Sequence, residues 1–143
     1  MLTKQISVFI ENRAGRLAHV TGVLRDAGIN IRALSMGDAP DFGIFRLVVS
    51  DTATALRALR ESGFLAEVSD VVAVEIPDRP GSLAEVLEAL AAGQVNVEYM
   101  YTSLSEEHGK ALVFLRFEDA NRAVDVLTGA GARIVTMGGG LMG

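Results

Sequence analysis

The chain has 143 residues, of which 50% are hydrophobic and 22% are charged, a composition typical of a globular protein. Its formal net charge of −5 argues against a nucleic-acid-binding protein, which usually carries a basic patch or stripe. The sequence contains no cysteine, which excludes disulfides, thiolate nucleophiles and cysteine-based metal sites. No apolar run approaches the roughly 20 residues that span a bilayer, and no secretory segment is apparent, so we expect a cytoplasmic protein that does not contact membranes.

The first half of the chain predicts the element order β-α-β-β-α-β. An alternating apolar pattern predicts a strand over residues 6–10, and apolar residues spaced three and four apart predict a helix over residues 16–27. Gly28 is suited to the left-handed residue that ends this helix. The remaining predictions are strands over residues 29–35, 44–49 and 64–68, and a helix that runs to about residue 62 and is capped by Ser50, Asp51 or Thr52.

The second half of the chain repeats this order. Strands are predicted over residues 72–76, 95–103, 110–117 and 134–137, and helices over residues 82–92 and 120–128. Gly93 and Asp119 are predicted to end and to cap these helices. An offset of 66 residues brings Gly15 onto Gly81 and Asn30 onto Asn96, and such an ordered set of matches indicates a duplication. We therefore predict two units, residues 1–69 and 70–143, with a flexible glycine-rich tail from about residue 138.

Each unit has the same kind of turn between its first strand and its first helix. The turns are Asn12-Arg13-Ala14-Gly15 and Asp78-Arg79-Pro80-Gly81. Each glycine lets the backbone approach a ligand, and the helix behind it offers free N–H groups at the positive end of its dipole. A carboxylate fits such a place, and Asn12 or Asp78 could accept a hydrogen bond from an ammonium group. The pattern is therefore compatible with an α-amino acid, and also with side chains that only cap their turns.

A second recurring feature is an asparagine at the start of the second strand of each unit. Asparagine is a poor strand residue, yet Asn30 and Asn96 occupy equivalent positions. They either contact a ligand or hydrogen-bond to the preceding turn. The sequence shows no catalytic or metal-binding pattern, because His19 and His108 have no second histidine at ligand spacing and no phosphate-binding loop is present. We expect both histidines at the surface, no cofactor and no enzymatic activity.

The two turns and the two asparagines resemble those of the ACT domain family. The resemblance implies two ferredoxin-like α+β units in tandem, each an antiparallel sheet with helices on one face. It also implies an amino-acid ligand bound where two ACT units pair. The implied ligand-binding residues are Asn12, Arg13, Ala14, Gly15, Leu17, Asn30 and Ile31 in the first unit, and Asp78, Arg79, Pro80, Gly81, Ser82, Leu83, Asn96 and Val97 in the second.

Some positions depart from the family pattern. Ala14 replaces the usual proline, so the first turn is less restricted in φ. Serine-sensing members often have a histidine where this chain has Ile10 and Ile76, which favours a more apolar ligand. Asp78 brings a negative charge to the second turn, so the two sites are not expected to be equivalent.

The sequence thus favours a non-catalytic regulatory protein that binds an amino acid. The alternative is a protein-interaction subunit of a metabolic enzyme, like the small subunit of acetolactate synthase. An RNA-binding role for Tyr99 and Tyr101 is disfavoured by the acidic charge, and sheet packing or a subunit contact is expected instead. Because exposed sheet edges are a pairing hazard, we expect the two units to pair into one eight-stranded sheet. The face without helices would then be buried in a homodimer.

Overall fold

The computed structural model describes residues 1–11, 13–38, 41–104 and 108–137. Two compact units are formed, one by Lys4–Ser69 and the other by Asp70–Thr136 together with Met1–Thr3. The elements of the described residues are β1 (Thr3–Glu11), α1 (Arg16–Asp26), β2 (Ile31–Asp38), β3 (Phe42–Val49), α2 (Thr52–Glu61), β4 (Leu65–Pro77), α3 (Ser82–Ala92), β5 (Tyr99–Thr102), β6 (Lys110–Arg116), α4 (Ala120–Gly129) and β7 (Arg133–Val135). None of the described helices has the length and the hydrophobicity needed to cross a membrane.

The first unit has the strand order β2-β3-β1-β4, with antiparallel β1–β3 and β2–β3 pairs. Every second residue of β1 faces the helices, so Ile6, Val8 and Ile10 lie in one apolar core. Val20 and Leu24, four residues apart on α1, enter the same core. The first part of β4, residues 65–69, belongs to this unit, and Gln5 Nε2 donates a hydrogen bond to Ser69 Oγ at 3.0 Å.

The second unit repeats this arrangement with the second part of β4. Strand β6 pairs antiparallel with both β4 and β5, and β7 pairs antiparallel with β4. Val74 on β4, Val86 and Leu90 on α3, and Leu127 on α4 belong to its separate core. Each unit therefore has the α+β, ferredoxin-like architecture that the sequence predicts.

The strand count differs from the prediction, because residues 64–68 and 72–76 were expected to be two strands. They lie in a single strand, β4, and the described residues form seven strands instead of eight. Ser69 and Asp70, at the expected break, are compatible with extended backbone, and neither is a glycine or a proline. Arg116 Nη1 donates to the Asp70 carbonyl oxygen at 2.6 Å, which satisfies the backbone at this point.

The helix ends follow the predicted chemistry, and Gly93 directly follows the last residue of α3 as predicted. Asp51 and Asp119 cap α2 and α4 by accepting backbone N–H hydrogen bonds at 3.1 Å, and Gly28 is left-handed with φ 74°. After α3, however, the left-handed residue is Gln94, with φ 57°, whereas Gly93 keeps a negative φ. A Cβ atom at Gly93 would lie only 2.8 Å from a side-chain carbon of α4. Close packing of the two helices explains the glycine there.

Candidate functional site

The two predicted turns have the same backbone conformation. Gly15 has φ 88° and ψ −12°, and Gly81 has φ 89° and ψ −12°. This is the left-handed region, which glycine adopts without the steric cost that other residues incur. Each glycine is the residue immediately before a helix, and no side chain caps that helix. The duplication therefore extends from the sequence to the backbone angles.

The hydrogen bonds of the first turn recur in the second. The Arg13 N–H donates to the Glu11 carbonyl oxygen at 2.9 Å, and the Arg16 N–H donates to the Arg13 carbonyl oxygen at 3.4 Å. The first helical bond runs from the His19 N–H to the Gly15 carbonyl oxygen at 2.9 Å. The same three bonds recur 66 residues later at 3.0, 3.3 and 3.0 Å. Both turns thus present the start of a helix in the same way.

Backbone N–H groups at the start of each helix have no acceptor within the described residues. Leu17 and Ala18 in α1, and Leu83 and Ala84 in α3, precede the first i→i−4 bond of their helices. Within the described ranges, none of these four amides has an acceptor. Free amides and the positive end of a helix dipole favour a carboxylate or another anion. Most of the turn residues around them are exposed.

The side chains of the turns face solvent. Arg13 pairs with Glu11 at 3.4 Å and Arg79 pairs with Glu85 at 3.7 Å, and all four side chains are largely exposed. Ala14 and Pro80 are also exposed. The Asp78 N–H donates to the Gly109 carbonyl oxygen at 2.8 Å, while its side chain is exposed. Asn12, the equivalent of Asp78, lies outside the described residues.

The predicted asparagines do not lie beside the turn of their own unit. The Asn30 N–H donates to Ser50 Oγ at 3.0 Å, and the Ser50 N–H donates back to the Asn30 carbonyl oxygen at 2.9 Å. Ser50 follows the last residue of β3, whereas the first turn follows Glu11, which pairs with Phe42 at the start of β3. At about 3.3 Å per residue, the length of β3 separates Asn30 from the turn by roughly 25 Å.

The second unit shows the same separation. Asn96 lines a cleft together with Gln94 and the beginning of α4. The Glu98 N–H donates to the carbonyl oxygen of Arg116, the last residue of β6, whereas Asp78 binds just before the first residue of β6. The turn and the asparagine therefore lie near opposite ends of β3 in the first unit and of β6 in the second.

Three other residues that were predicted to bind the ligand pack mainly against the hydrophobic cores. Ile31 packs against the core of the first unit, and Leu83 and Val97 pack against the core of the second. Leu17, the equivalent of Leu83, is instead 44% exposed. Tyr101 stacks on Phe114 with ring centroids 5.5 Å apart, which confirms the expected role in sheet packing.

One titratable residue with a shifted pKa is Asp51, the cap of α2. Hydrogen bonds from the Thr54 hydroxyl and backbone N–H lower the pKa of Asp51, an effect that follows from its role as a helix cap. No group of three or more histidine, aspartate or glutamate residues within the described ranges could hold a metal ion. His19 is exposed, as expected, but its ring also contacts Arg16 and Phe64, which the sequence did not indicate.

Comparisons with known proteins give a consistent assignment. Residues 1–136 match the model of the ACT domain pair. A crystal structure of protein BT0572 from Bacteroides thetaiotaomicron is 38% identical with a TM-score of 0.88, covering 94% of this chain and 92% of that one. Regulatory subunits of aspartate kinase share the fold. The subunit from Thermus thermophilus is 22% identical with a TM-score of 0.63, covering 90% of this chain and 93% of that one. The subunit from Thermus flavus is 24% identical with a TM-score of 0.61, covering 92% of this chain and 94% of that one. No significant match was found among curated proteins. The chain therefore belongs to the ACT domain family, in the group whose members carry a pair of these domains.

Proposed function

We propose that this chain is a non-catalytic, cytoplasmic regulatory protein that binds a free amino acid at its strand-to-helix turns. The observation that carries the proposal is the left-handed glycine turn, which recurs with angles equal to within about a degree and exposes free helix N–H groups each time. Membership of the ACT domain pair family supports a regulatory, ligand-binding role.

The α-carboxylate of the ligand accepts hydrogen bonds from the free amides of Leu17 and Ala18, or from their equivalents in α3. Asn12 or Asp78 accepts a hydrogen bond from its ammonium group. Asn30 or Asn96 joins the site from a second unit, because the asparagine of the same unit lies about 25 Å away. Each complete site is thus shared between two ACT units.

The first turn is the stronger of the two proposed sites. The second site has the carboxylate of Asp78 in its turn, where the first has the neutral side chain of Asn12. The first helical turn of α3 also contains Glu85, which pairs with Arg79, whereas that of α1 contains no acidic residue. A negative charge near the bound carboxylate disfavours an anionic ligand. We therefore propose tighter binding at Gly15 than at Gly81.

An apolar strip on the first unit supports pairing with a second copy of the chain. Leu34 and Met36 lie on the edge strand β2 and pair with Leu47 and Phe45, so they point toward the helix-bearing face. They are 37% and 44% exposed. The sheet face without helices is less available than expected, since Ala33 and Val48 on it are already fully buried. We propose a homodimer that uses the β2 edge.

The same strip favours a second candidate function. An exposed apolar edge can also bind a different protein, such as an enzyme that this chain regulates. Purification of the tagged chain from its own cells distinguishes the two cases. Co-purification of an enzyme subunit in a stoichiometric amount would support the regulatory-subunit role. Elution of the chain as a dimer with no other protein would support the homodimer.

A thermal-shift screen of the 20 common amino acids tests the proposal. A ligand at 100 times its dissociation constant adds about 2.7 kcal/mol to the free energy of unfolding, which is readily measured as a rise in Tm. We expect one amino acid, or a group of related apolar ones, to raise Tm at millimolar concentration. The absence of any rise across the whole panel would contradict the proposed function.

A further inference from the structure

The second unit contains a cavity whose apolar wall lies outside the proposed amino-acid site. Its volume is about 320 Å³, and it lies between α3, the end of α4 and the strands β4 and β7. Val74, Val86 and Leu127 line it and belong to the core of this unit. The volume falls in the range of small-molecule pockets. At about 30 Å³ for each water molecule in the liquid, the cavity has room for roughly ten non-hydrogen atoms.

Ser82 supplies a buried polar group beside the apolar core residues of the wall. The residue is 3% exposed and lines the cavity, and its Oγ has no hydrogen-bond partner among the described residues. Buried hydroxyl groups in native proteins are almost always satisfied by a partner, so this one points to a bound group. Ser82 is also the first residue of α3, where the helix dipole favours a negatively charged acceptor.

The first unit provides an internal comparison, since large side chains occupy the equivalent positions. Arg16 lies where the second unit has Ser82, and Phe64 lies where it has Ala132. The Arg16 guanidinium is 4.7 Å from the centre of the Phe64 ring, and the His19 ring meets the same ring at 4.8 Å. Arg16 and Phe64 thus contact each other at positions where the second unit has only a serine and an alanine. The two copies therefore differ at this point in the size of their side chains.

We propose that the cavity of the second unit binds a small monocarboxylate with a short aliphatic chain. The Ser82 hydroxyl donates to the carboxylate, and the aliphatic chain packs on the core residues of the wall. The charges at the rim favour an anion. Glu75 lies between two cations, Lys110 at 3.3 Å and Arg133 at 3.4 Å, so this trio has a net positive charge. Glu85, the other acidic lining residue, is paired with the arginine of the preceding turn.

The cavity adjoins the second turn, because the family resemblance also assigns Ser82 to the amino-acid site, but Val74, Val86 and Leu127 on its wall do not belong to that site. The inference holds whether or not an amino acid binds at the turns. A simple carboxylic acid and an α-amino acid with the same side chain share the chemistry that the cavity recognises. Titrations with 3-methylbutanoate, leucine, 3-methylbutanol and 3-methylbutylamine distinguish a simple carboxylic acid from an α-amino acid as the ligand. Methyl-labelled NMR of Val74, Val86 and Leu127 reports binding inside the cavity rather than at the turns.

We expect saturable methyl shifts with 3-methylbutanoate, and at least tenfold weaker binding of the alcohol and the amine. A charged acceptor makes a stronger hydrogen bond than a neutral one, and a cation is repelled by the start of α3. Tighter binding of leucine than of 3-methylbutanoate would identify an α-amino acid as the natural source, and weaker binding a simple acid. Equal binding of the amine, or no methyl shift with either carboxylate at 10 mM, would overturn the proposal.

Four variants test the assignment of the residues. Ser82→Ala removes only the hydroxyl and should weaken binding at least tenfold, whereas Ser82→Thr keeps the hydroxyl and should retain binding. Ala132→Phe reproduces the side chain of the first unit and should abolish the methyl shifts. Ala91→Phe is the matched control, because Ala91 is exposed on α3 and does not line the cavity. Unchanged affinity in both Ser82→Ala and Ala132→Phe, in proteins whose amide spectra show them folded, would refute the site.

Discussion

Replacement of Gly81 by alanine tests the turn on which the proposed function depends. An added Cβ atom would meet nothing within 4 Å, so no clash contributes to the cost. The whole effect comes from placing a non-glycine residue at φ 89°, which costs roughly 1–2 kcal/mol. We therefore expect Gly81→Ala to lower the free energy of unfolding by about 1–2 kcal/mol. Gly15→Ala should cost the same, because its φ and its surroundings are the same.

The chain offers a matched control in the same unit. Gly129 is the last residue of α4, its φ is not positive, and an added Cβ atom there also meets nothing within 4 Å. Alanine at this helical position should stabilise the protein by about 0.5–1 kcal/mol. Urea unfolding of the three variants with linear extrapolation measures these differences. If Gly81→Ala is as stable as Gly129→Ala, the left-handed turn is absent and our description of the site is wrong.

Three further predictions concern features outside the turns. Thr54→Ala should raise the NMR titration midpoint of Asp51 toward its ordinary value of 3.8, because the hydrogen bond from the Thr54 hydroxyl lowers the pKa of Asp51. The Asp51 cap stabilises the protein above the unfolded pKa, and this stability is lost as pH falls through the lower folded pKa. An unchanged midpoint in Thr54→Ala would contradict this. Gly93→Ala should destabilise by about 1–3 kcal/mol in thermal unfolding, since its Cβ atom would lie 2.8 Å from a side chain of α4; a gain in stability would show that the helices are not so close. Leu34→Glu should give a monomer in light scattering while Leu65→Glu, at an exposed site outside the β2 edge, leaves the dimer intact, and a dimer in both variants would exclude the β2 edge.

The turns and the helix caps were predictable because their chemistry is local. Only glycine adopts the left-handed conformation of positions 15 and 81 at little cost, and the aspartates at 51 and 119 are suited to cap the helices that follow them. The core faces of the strands and helices were predictable for a similar reason, since their periods are set by backbone geometry.

The remaining features depend on residues that are distant in sequence. Strand β4 is continuous through Ser69 and Asp70, where Arg116 donates a hydrogen bond to the backbone that no local pattern reveals. The cavity beside Ser82 depends on the small side chain of Ala132, fifty positions later. The close approach of Gly93 to a side chain of α4 is likewise a contact between distant residues. In each case the local sequence does not indicate the tertiary contact.

The central claim is that an amino acid binds to free helix amides at the glycine turns. Titration of the ¹⁵N-labelled protein with the amino acid that raises Tm most tests it directly by amide NMR. The account predicts saturable shifts at the amides of Leu17 and Ala18 first, followed at higher concentration by those of Leu83 and Ala84. Saturable shifts confined to other parts of the protein, with these four amides unmoved, would contradict it.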